Sequence, residues 1–377
     1  MKKIVVASDS FKGSLSSMEV ADAVERAVLQ TYPLCEVVKV DVADGGEGTM
    51  DALRQTLGGR THCVEVLDPL GRPIRASYVI LDDDITAVIE MAVASGLPLL
   101  TEEERNPLKT STYGTGQLIA DALDKGCRKF LIGIGGSSTN DAGMGMLQAL
   151  GYCFLDAQSN DLRGCGESLE RVSSIDDSTI NPALAQSEFI VACDVDAPLD
   201  GPKGAACVFA PQKGADPETV ERLDKGLKHF SEEVSKSMDA VEDYAQIPGA
   251  GAAGGLGFGL MAFMNARLVS GIDMVLDAIG FDSIIKDADL IVTGEGKIDS
   301  QTMTGKAPCG VLRRAKHQGI PVVAIAGCVQ LTQEESMAAG FEDYLQVTPP
   351  DMSLEDAMGP KTASENIYQS LLDFWSK

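Results

Sequence analysis

A chain of 377 residues with 56 acidic against 31 basic side chains carries a formal charge of −25, which makes non-specific attachment to nucleic acid or to an anionic membrane surface unfavourable. With 44% hydrophobic and 23% charged residues, its composition is that of an ordinary globular protein, and it is long enough for two packed cores. The nine cysteines contain no C-x-x-C pair and the three histidines stand at no metal-ligand spacing, which argues for reduced thiols in a cytoplasmic protein and against a structural zinc or a His-based triad.

The opening MKKIVVASDS has too short an apolar run for a leader and reads as a first strand, Lys3 to Ala7. Ser8 to Ser14 is a polar loop. Ser16 to Gln30 is a helix, because Ser16 and Glu19 have capping-box spacing and Val20, Val24, Ala27 and Val28 form an apolar stripe. A second strand, Glu36 to Val42, feeds the loop ADGGEGT (Ala43 to Thr49) and a helix that Gly58 and Gly59 stop. After about His62 the rhythm changes. Pro73 to Leu81 and Thr86 to Met91, separated by Asp82 to Asp84, read as an antiparallel hairpin. A helix (Gly116 to Lys125), a strand (Lys129 to Ile134), a helix (Ala142 to Leu150), a strand (Ser187 to Cys193) and a solvated helix (Thr219 to Met238) follow. Ile247 to Ala266 is uncharged, but its glycines predict a loop and a packed helix rather than a membrane span.

Parallel rhythm returns near Asp289. A buried strand, Leu290 to Thr293, leads into a loop carrying Glu295, Lys297, Asp299 and Lys306, then a helix from Pro308 to Gln318 and strands at Val322 to Ala326 and Tyr344 to Val347. The expected architecture is two α/β domains. Residues 1–62 and 287–377 form a discontinuous Rossmann-like domain with a parallel sheet, and residues 63–286 form an inserted domain with a mixed sheet. The active site is expected in the cleft between them.

The segment around Glu295 carries the clearest chemistry. A strand that delivers glycine-flanked carboxylates and lysines to a sheet rim, ahead of a helix N-terminus, suits phosphoryl transfer. Gly294 and Gly296 are expected to adopt backbone geometries that other residues resist, and to bring the chain close to phosphate. Asp9, Ser10 and Lys12 follow the first strand, where open α/β sheets bind ligands, and Ser10 and Lys12 can grip a carboxylate or a phosphate. Asp44 and Glu47 among glycines suit Mg²⁺ or acceptance of a hydroxyl proton. In IGGSSTNDAG, Gly135, Gly136, Ser137, Ser138 and Asn140 have the makings of an anion nest. Asp194 and Asp196 stand just past a strand, as candidate metal ligand or base. Gly249, Gly251 and Gly254 match G-x-G-x-x-G without a strand ahead of them, and no Walker loop is present.

These pieces, read in order, resemble the bacterial type-1 glycerate kinase family: DSFKGSL, ADGGEGT, EMAVASGL, YGTGQLI, IGIGGSSTNDAGMGM, APQKGA, PGAGAAGG and GEGKIDSQTMTGKAP. Two positions depart from the family pattern, Ala197 where Asn is usual and Ala210 where Gly is usual. The resemblance implies a cytosolic enzyme moving the γ-phosphoryl of ATP to D-glycerate with Mg²⁺. The product would be 2-phosphoglycerate, in glucarate, galactarate or glyoxylate catabolism, with 3-phosphoglycerate as the alternative. It implies no nucleic-acid or membrane partner, and it admits a homodimer. On this reading Ser10, Lys12, Thr115 and Asp299 bind substrate, Asp44 or Asp194 is the base, Glu295 or Asp299 touches metal, and Lys306 neutralises charge in the transition state. Rival readings are a nicotinamide-dependent dehydrogenase and a non-catalytic nucleotide or sugar-acid sensor.

Overall fold

The computed structural model describes residues 1–43, 48–237, 243–299, 302, 305–330 and 340–376. Its strands, in chain order, are β1 (Lys3–Ser8), β2 (Glu36–Lys39), β3 (Arg60–Leu67), β4 (Pro73–Ile80), β5 (Thr86–Glu90), β6 (Lys129–Gly133), β7 (Cys153–Leu155), β8 (Ser174–Asp176), β9 (Glu188–Ala192), β10 (Arg267–Val269), β11 (Leu290–Ile298), β12 (Val322–Val329) and β13 (Asp343–Gln346). The chain divides into two compact units. One comprises Met1–Asp44, Asp51–Thr56 and Gly271–Lys377, the other Gly45–Met50 and Leu57–Ser270. The second break therefore falls earlier than the expected residue 286. The Gly271–Ala278 helix stays with the first unit because Ile272 packs where a Cβ on Gly310 would stand, and because Arg313 and Arg314 pair with Asp273 at 2.6 and 3.2 Å.

In the first unit the sheet order is β2-β1-β11-β12-β13, parallel throughout. Counted within the unit this is 2-1-3-4-5, a doubly wound order whose direction reverses between β1 and β11. Successive residues of each strand point to opposite faces, and both faces are covered. Ile4, Val6, Leu290, Val292, Val323 and Ile325 share a core with Val20, Val24, Ile367 and Leu371 of the Ser17–Thr31 and Pro360–Trp375 helices. Val5, Ile291 and Ala324, on the other face, are equally buried. The expected capping box on the first helix is present, with Ser16 Oγ accepting from Glu19 N–H.

One expectation is corrected here. The segment from Gly294 to Ile298 is not a loop but the continuation of β11, registered Ser8↔Gly294 against β1 and Lys297↔Cys328 against β12. Neither Gly294 nor Gly296 has a positive φ. Gly294 is needed for lateral clearance: a Cβ there would lie 2.3 Å from the Ile325 carbonyl oxygen. Flanking glycines look like a turn in one dimension, whereas pairing on both sides holds them extended.

The second unit has a six-stranded sheet, β10-β9-β6-β5-β4-β3, parallel from β10 to β5 and antiparallel from β5 through β4 to β3. The hairpin read from the sequence is β4–β5. Strand β3, which was not anticipated, extends it at the edge, and β7 and β8 make a separate two-stranded ribbon. The uncharged run becomes the Ala252–Met264 helix, whose start is broken by left-handed geometry at Ala253, Gly254 and Gly255. Among the described residues no helix is long and apolar enough to cross a membrane.

Candidate active site

All five strands of the first unit end at one rim, and a cavity of about 480 Å³ opens there, at the position where open parallel sheets take ligands. Asp9, Ser10 and Lys12 line it from the end of β1, Glu295 to Lys297 from β11, and Lys306 from the N-cap of the Ala307–His317 helix. The β1 loop is held tightly. Asp9 N–H donates to the Gly294 carbonyl at 2.9 Å, Ser10 N–H to Asp9 Oδ1 at 2.6 Å, and Phe11 and Leu15 close a bridge around Gly13 at φ +79°.

Glu295 is the group most constrained by this site. It is 7% exposed, and its Oε1 is buried with no hydrogen-bond partner among the described residues. Burial pushes its carboxyl above the usual range, and the Thr302 hydrogen bond and the Lys306 charge offset this only in part. Lys306 Nζ stands 3.7 Å from Glu295 Oε2, and Lys297 Nζ 3.1 Å from Asp299 Oδ2. A buried carboxylate oxygen without a donor is costly unless a cation or a proton reaches it. Asp44 and Glu47 lie outside the described residues.

In the second unit the EMAVASGL, IGGSSTNDAG and CDVDAPL segments follow the carboxyl ends of the parallel strands β5, β6 and β9. Gly135, Gly136 and Asp194 are exposed there. The residues after them turn inward. Ser138 Oγ donates to the Ser95 carbonyl at 3.0 Å, Thr115 Oγ1 and Ser95 Oγ share a bond of 2.8 Å, and Ser137 Oγ accepts from Lys213 Nζ at 2.7 Å. Most of these hydroxyls thus serve the fold. Asn140 is fully buried, with both side-chain polar atoms unpartnered among the described residues. Asp141, also fully buried, accepts from Thr112 N–H and Oγ1 and from the N–H groups of Gly143 and Gly145, and burial raises its pKa.

Sequence reasoning missed Lys213 as a functional candidate, although it sits in the APQKGA motif. Its ammonium is buried and donates to Ser137 Oγ and to the Thr139 carbonyl, both at 2.7 Å. Burial drives its pKa down to about 7, against the raising effect of Asp141. Between that value and the ordinary value of 10.5, the unfolded chain holds a proton that the folded chain lacks, so stability rises with pH across this window and is lost as pH falls toward 7. Chemical denaturation at pH 7 and pH 10 should show the native chain gaining on Lys213→Met by on the order of 1 kcal/mol per pH unit. Parallel pH dependence of the two proteins would contradict this.

The G-x-G-x-x-G segment has a packing role. Gly254 lies against the Thr139 carbonyl, its own carbonyl accepts from Ala142 N–H at 3.0 Å, and Gly251 N–H donates to the Ala197 carbonyl at 2.9 Å. A short 3-10 turn, Tyr244–Gln246, precedes the segment in place of a strand, so the dinucleotide fingerprint lacks its context.

A family model described as the glycerate kinase family matches residues 4–374. The chain belongs to the glycerate kinase family. Relatives within it include a Bacillus subtilis (strain 168) protein named glycerate kinase, 46% identical over 94% of this chain and 92% of its own length. An Escherichia coli K12 protein named glycerate 2-kinase is 47% identical over 86% of this chain and 85% of its own length. A crystal structure of a Salmonella typhimurium LT2 protein superposes with a TM-score of 0.89 at 44% identity, covering 100% of this chain and 97% of that one. The doubly wound sheet and the mixed sheet described above are thus those of a glycerate kinase family member.

Proposed function

We propose that this family member transfers the γ-phosphoryl group of ATP to the C2 hydroxyl of D-glycerate, releasing ADP and 2-phosphoglycerate. The observation that carries the proposal is the cavity at the strand ends of the first unit, where the buried, partly unpartnered Glu295 stands beside Lys306 and near the Asp9–Lys12 loop. Phosphorylation at C2 draws its support from the E. coli relative named glycerate 2-kinase. Nine cysteines with no C-x-x-C pair support a reducing, cytoplasmic setting. A place in sugar-acid or glyoxylate catabolism rests on the family resemblance alone.

The donor set fits Mg²⁺. Among the described residues no three His, Cys, Asp or Glu side chains converge as a metal cage, but Mg²⁺ is commonly held by one or two carboxylates together with substrate phosphates and water. Glu295 Oε1 is the oxygen available for this, with Asp299 as the second candidate. When bound, the ion neutralises charge on the phosphate oxygens. Lys306 offers its ammonium to the group in transfer, held near Glu295 of β11 at 3.7 Å, and Lys12 and Ser10 anchor anionic oxygens at the end of β1. As the C2 oxygen bonds to the γ-phosphorus, the bridge to the β-phosphate breaks and the hydroxyl proton passes to a carboxylate. Asp194 and Asp44 are the candidates for that base. Thr115 and the Gly135–Asn140 segment take a supporting part, through the buried network that sets the exposed backbone of Gly135 and Gly136.

³¹P NMR of a reaction containing ATP, Mg²⁺ and D-glycerate tests the proposal. The expected product resonance is that of 2-phosphoglycerate. A 3-phosphoglycerate signal would move the acceptor to C3, and the absence of any phosphoglycerate would sink the reading.

A further inference from the structure

The cavity of the first unit does not end at its charged rim. Beyond Glu295 and Lys306 it continues across the ends of β12 and β13 to Cys328, Pro349, Pro350, Leu354, Met358 and Asn366. Leu354 is 76% exposed and Met358 38%. Both belong to the short Leu354–Met358 helix, and the Met358 methyl lies 2.9 Å from where a Cβ on Gly13 would stand, so this helix packs over the β1 loop. One cavity therefore has a cationic end and an apolar end. Adjacent strands lie about 4.8 Å apart, so the end of β13 is roughly 10 Å from the end of β11.

A three-carbon hydroxy acid is too short and too polar to reach from one end to the other. A ligand that matches both ends carries several anionic oxygens, a spacer and a flat apolar group with a polar edge. We infer that the apolar end takes the base of a purine nucleotide, stacked against Leu354, Met358 and the Pro349–Pro350 corner, with the Asn366 amide within reach of its polar edge and the phosphates running back toward Lys306. The cavity volume of about 480 Å³ lies in the range of about 300–1,000 Å³ usual for such ligands. This rests on the proposed use of ATP as donor, and it assigns the donor's base to Pro349, Pro350, Leu354, Met358 and Asn366 of the first unit.

Cys328 gives a direct readout, since its thiol is exposed on β12, in register with Lys297 and between the charged and apolar ends of the cavity, while Cys63, also exposed, belongs to the other unit. N-ethylmaleimide alkylation of the intact protein is followed at each cysteine by peptide mass spectrometry, with MgADP, with inorganic tripolyphosphate, or with neither. MgADP should slow labelling of Cys328 by about tenfold at roughly ten times its Kd and leave Cys63 unchanged, and tripolyphosphate should not protect. Equal protection by tripolyphosphate would place phosphates rather than base at Cys328 and overturn the inference. So would unprotected Cys328 in a protein that turns over. In a second arm, Leu354→Ser, at a side chain 76% exposed, should raise KM for ATP by about fivefold while KM for D-glycerate and Tm stay as they were. An unchanged KM for ATP counts against the inference. Protection by MgADP in a protein that makes no phosphoglycerate would keep the base subsite and remove the glycerate reading, so the two fail separately.

Discussion

Replacing Lys306 with alanine is expected to lower kcat by at least about tenfold, since a charge contact made in the transition state is typically worth a few kcal/mol. The side chain is partly exposed, with its Nζ 3.7 Å from a carboxylate that is itself nearly buried. Lys306 is also the N-cap of the Ala307–His317 helix, but its side chain makes no capping hydrogen bond, so alanine removes charge without removing a cap. Thermal unfolding should therefore change little while turnover falls, and that separation distinguishes a chemical role from a structural one. If the ammonium meets phosphate equally in ground and transition states, KM for ATP rises and kcat holds. A drop in kcat at unchanged KM places the contact in the transition state. Native turnover in Lys306→Ala would remove the residue from the mechanism.

The second large effect is on stability. Gly254→Ala should destabilise the second unit by at least about 3 kcal/mol, within the range reserved for strain and unrelievable clashes. Gly254 has φ +70°, and a Cβ there would lie 2.0 Å from the Thr139 carbonyl oxygen and 2.6 Å from the Asn140 Cα. Both neighbours are backbone, so no side-chain rotation makes room. The shift needed would also disturb the Ala142 N–H bond to the Gly254 carbonyl and the buried turn that carries Asn140 and Asp141. Gly126→Ala is the control. It shares a positive φ, +96°, but has nothing within 4 Å, so it carries only the left-handed cost of about 1–2 kcal/mol. The difference between the two urea midpoints isolates the clash, and equal midpoints would mean that this contact is soft.

Much of the fold was legible because its signals are local. The Ser16–Glu19 box and the stripe behind it define a helix within four turns, and the Asp82–Asp84 break between two β-rich runs defines a hairpin without reference to the rest of the chain. Strand β3 was missed because its alternation is shallow: Arg60–Leu67 is an edge strand in which exposed Thr61, Cys63 and Glu65 alternate with only half-buried His62 and Val64, and Val66 alone is buried. The reading of Gly294 to Lys297 as a loop failed for a related reason. Glycine weakens a strand signal, and here the extended form depends on partners some three hundred residues away on one side and thirty on the other.

The candidate site divides in the same way. Sequence alone identified the family motifs and the loops after strands β1, β6 and β9, because an apolar run that gives way to polar and glycine residues marks a sheet rim there. It could not tell which hydroxyls and carboxylates of those loops face outward. Ser138, Asp141 and Lys213 look as available as Ser10 or Lys12 in the sequence, yet the first three are sealed inside the second unit. That outcome depends on the Gly254 backbone pressing against Thr139, a contact between segments more than a hundred residues apart. The apolar end of the cavity was equally invisible, since Leu354 and Met358 acquire meaning only when β12, β13 and their short helix share a rim with Glu295. Local pattern determined the elements and the chemistry they carry; only tertiary packing decided burial, and burial decides which of those groups can meet a ligand.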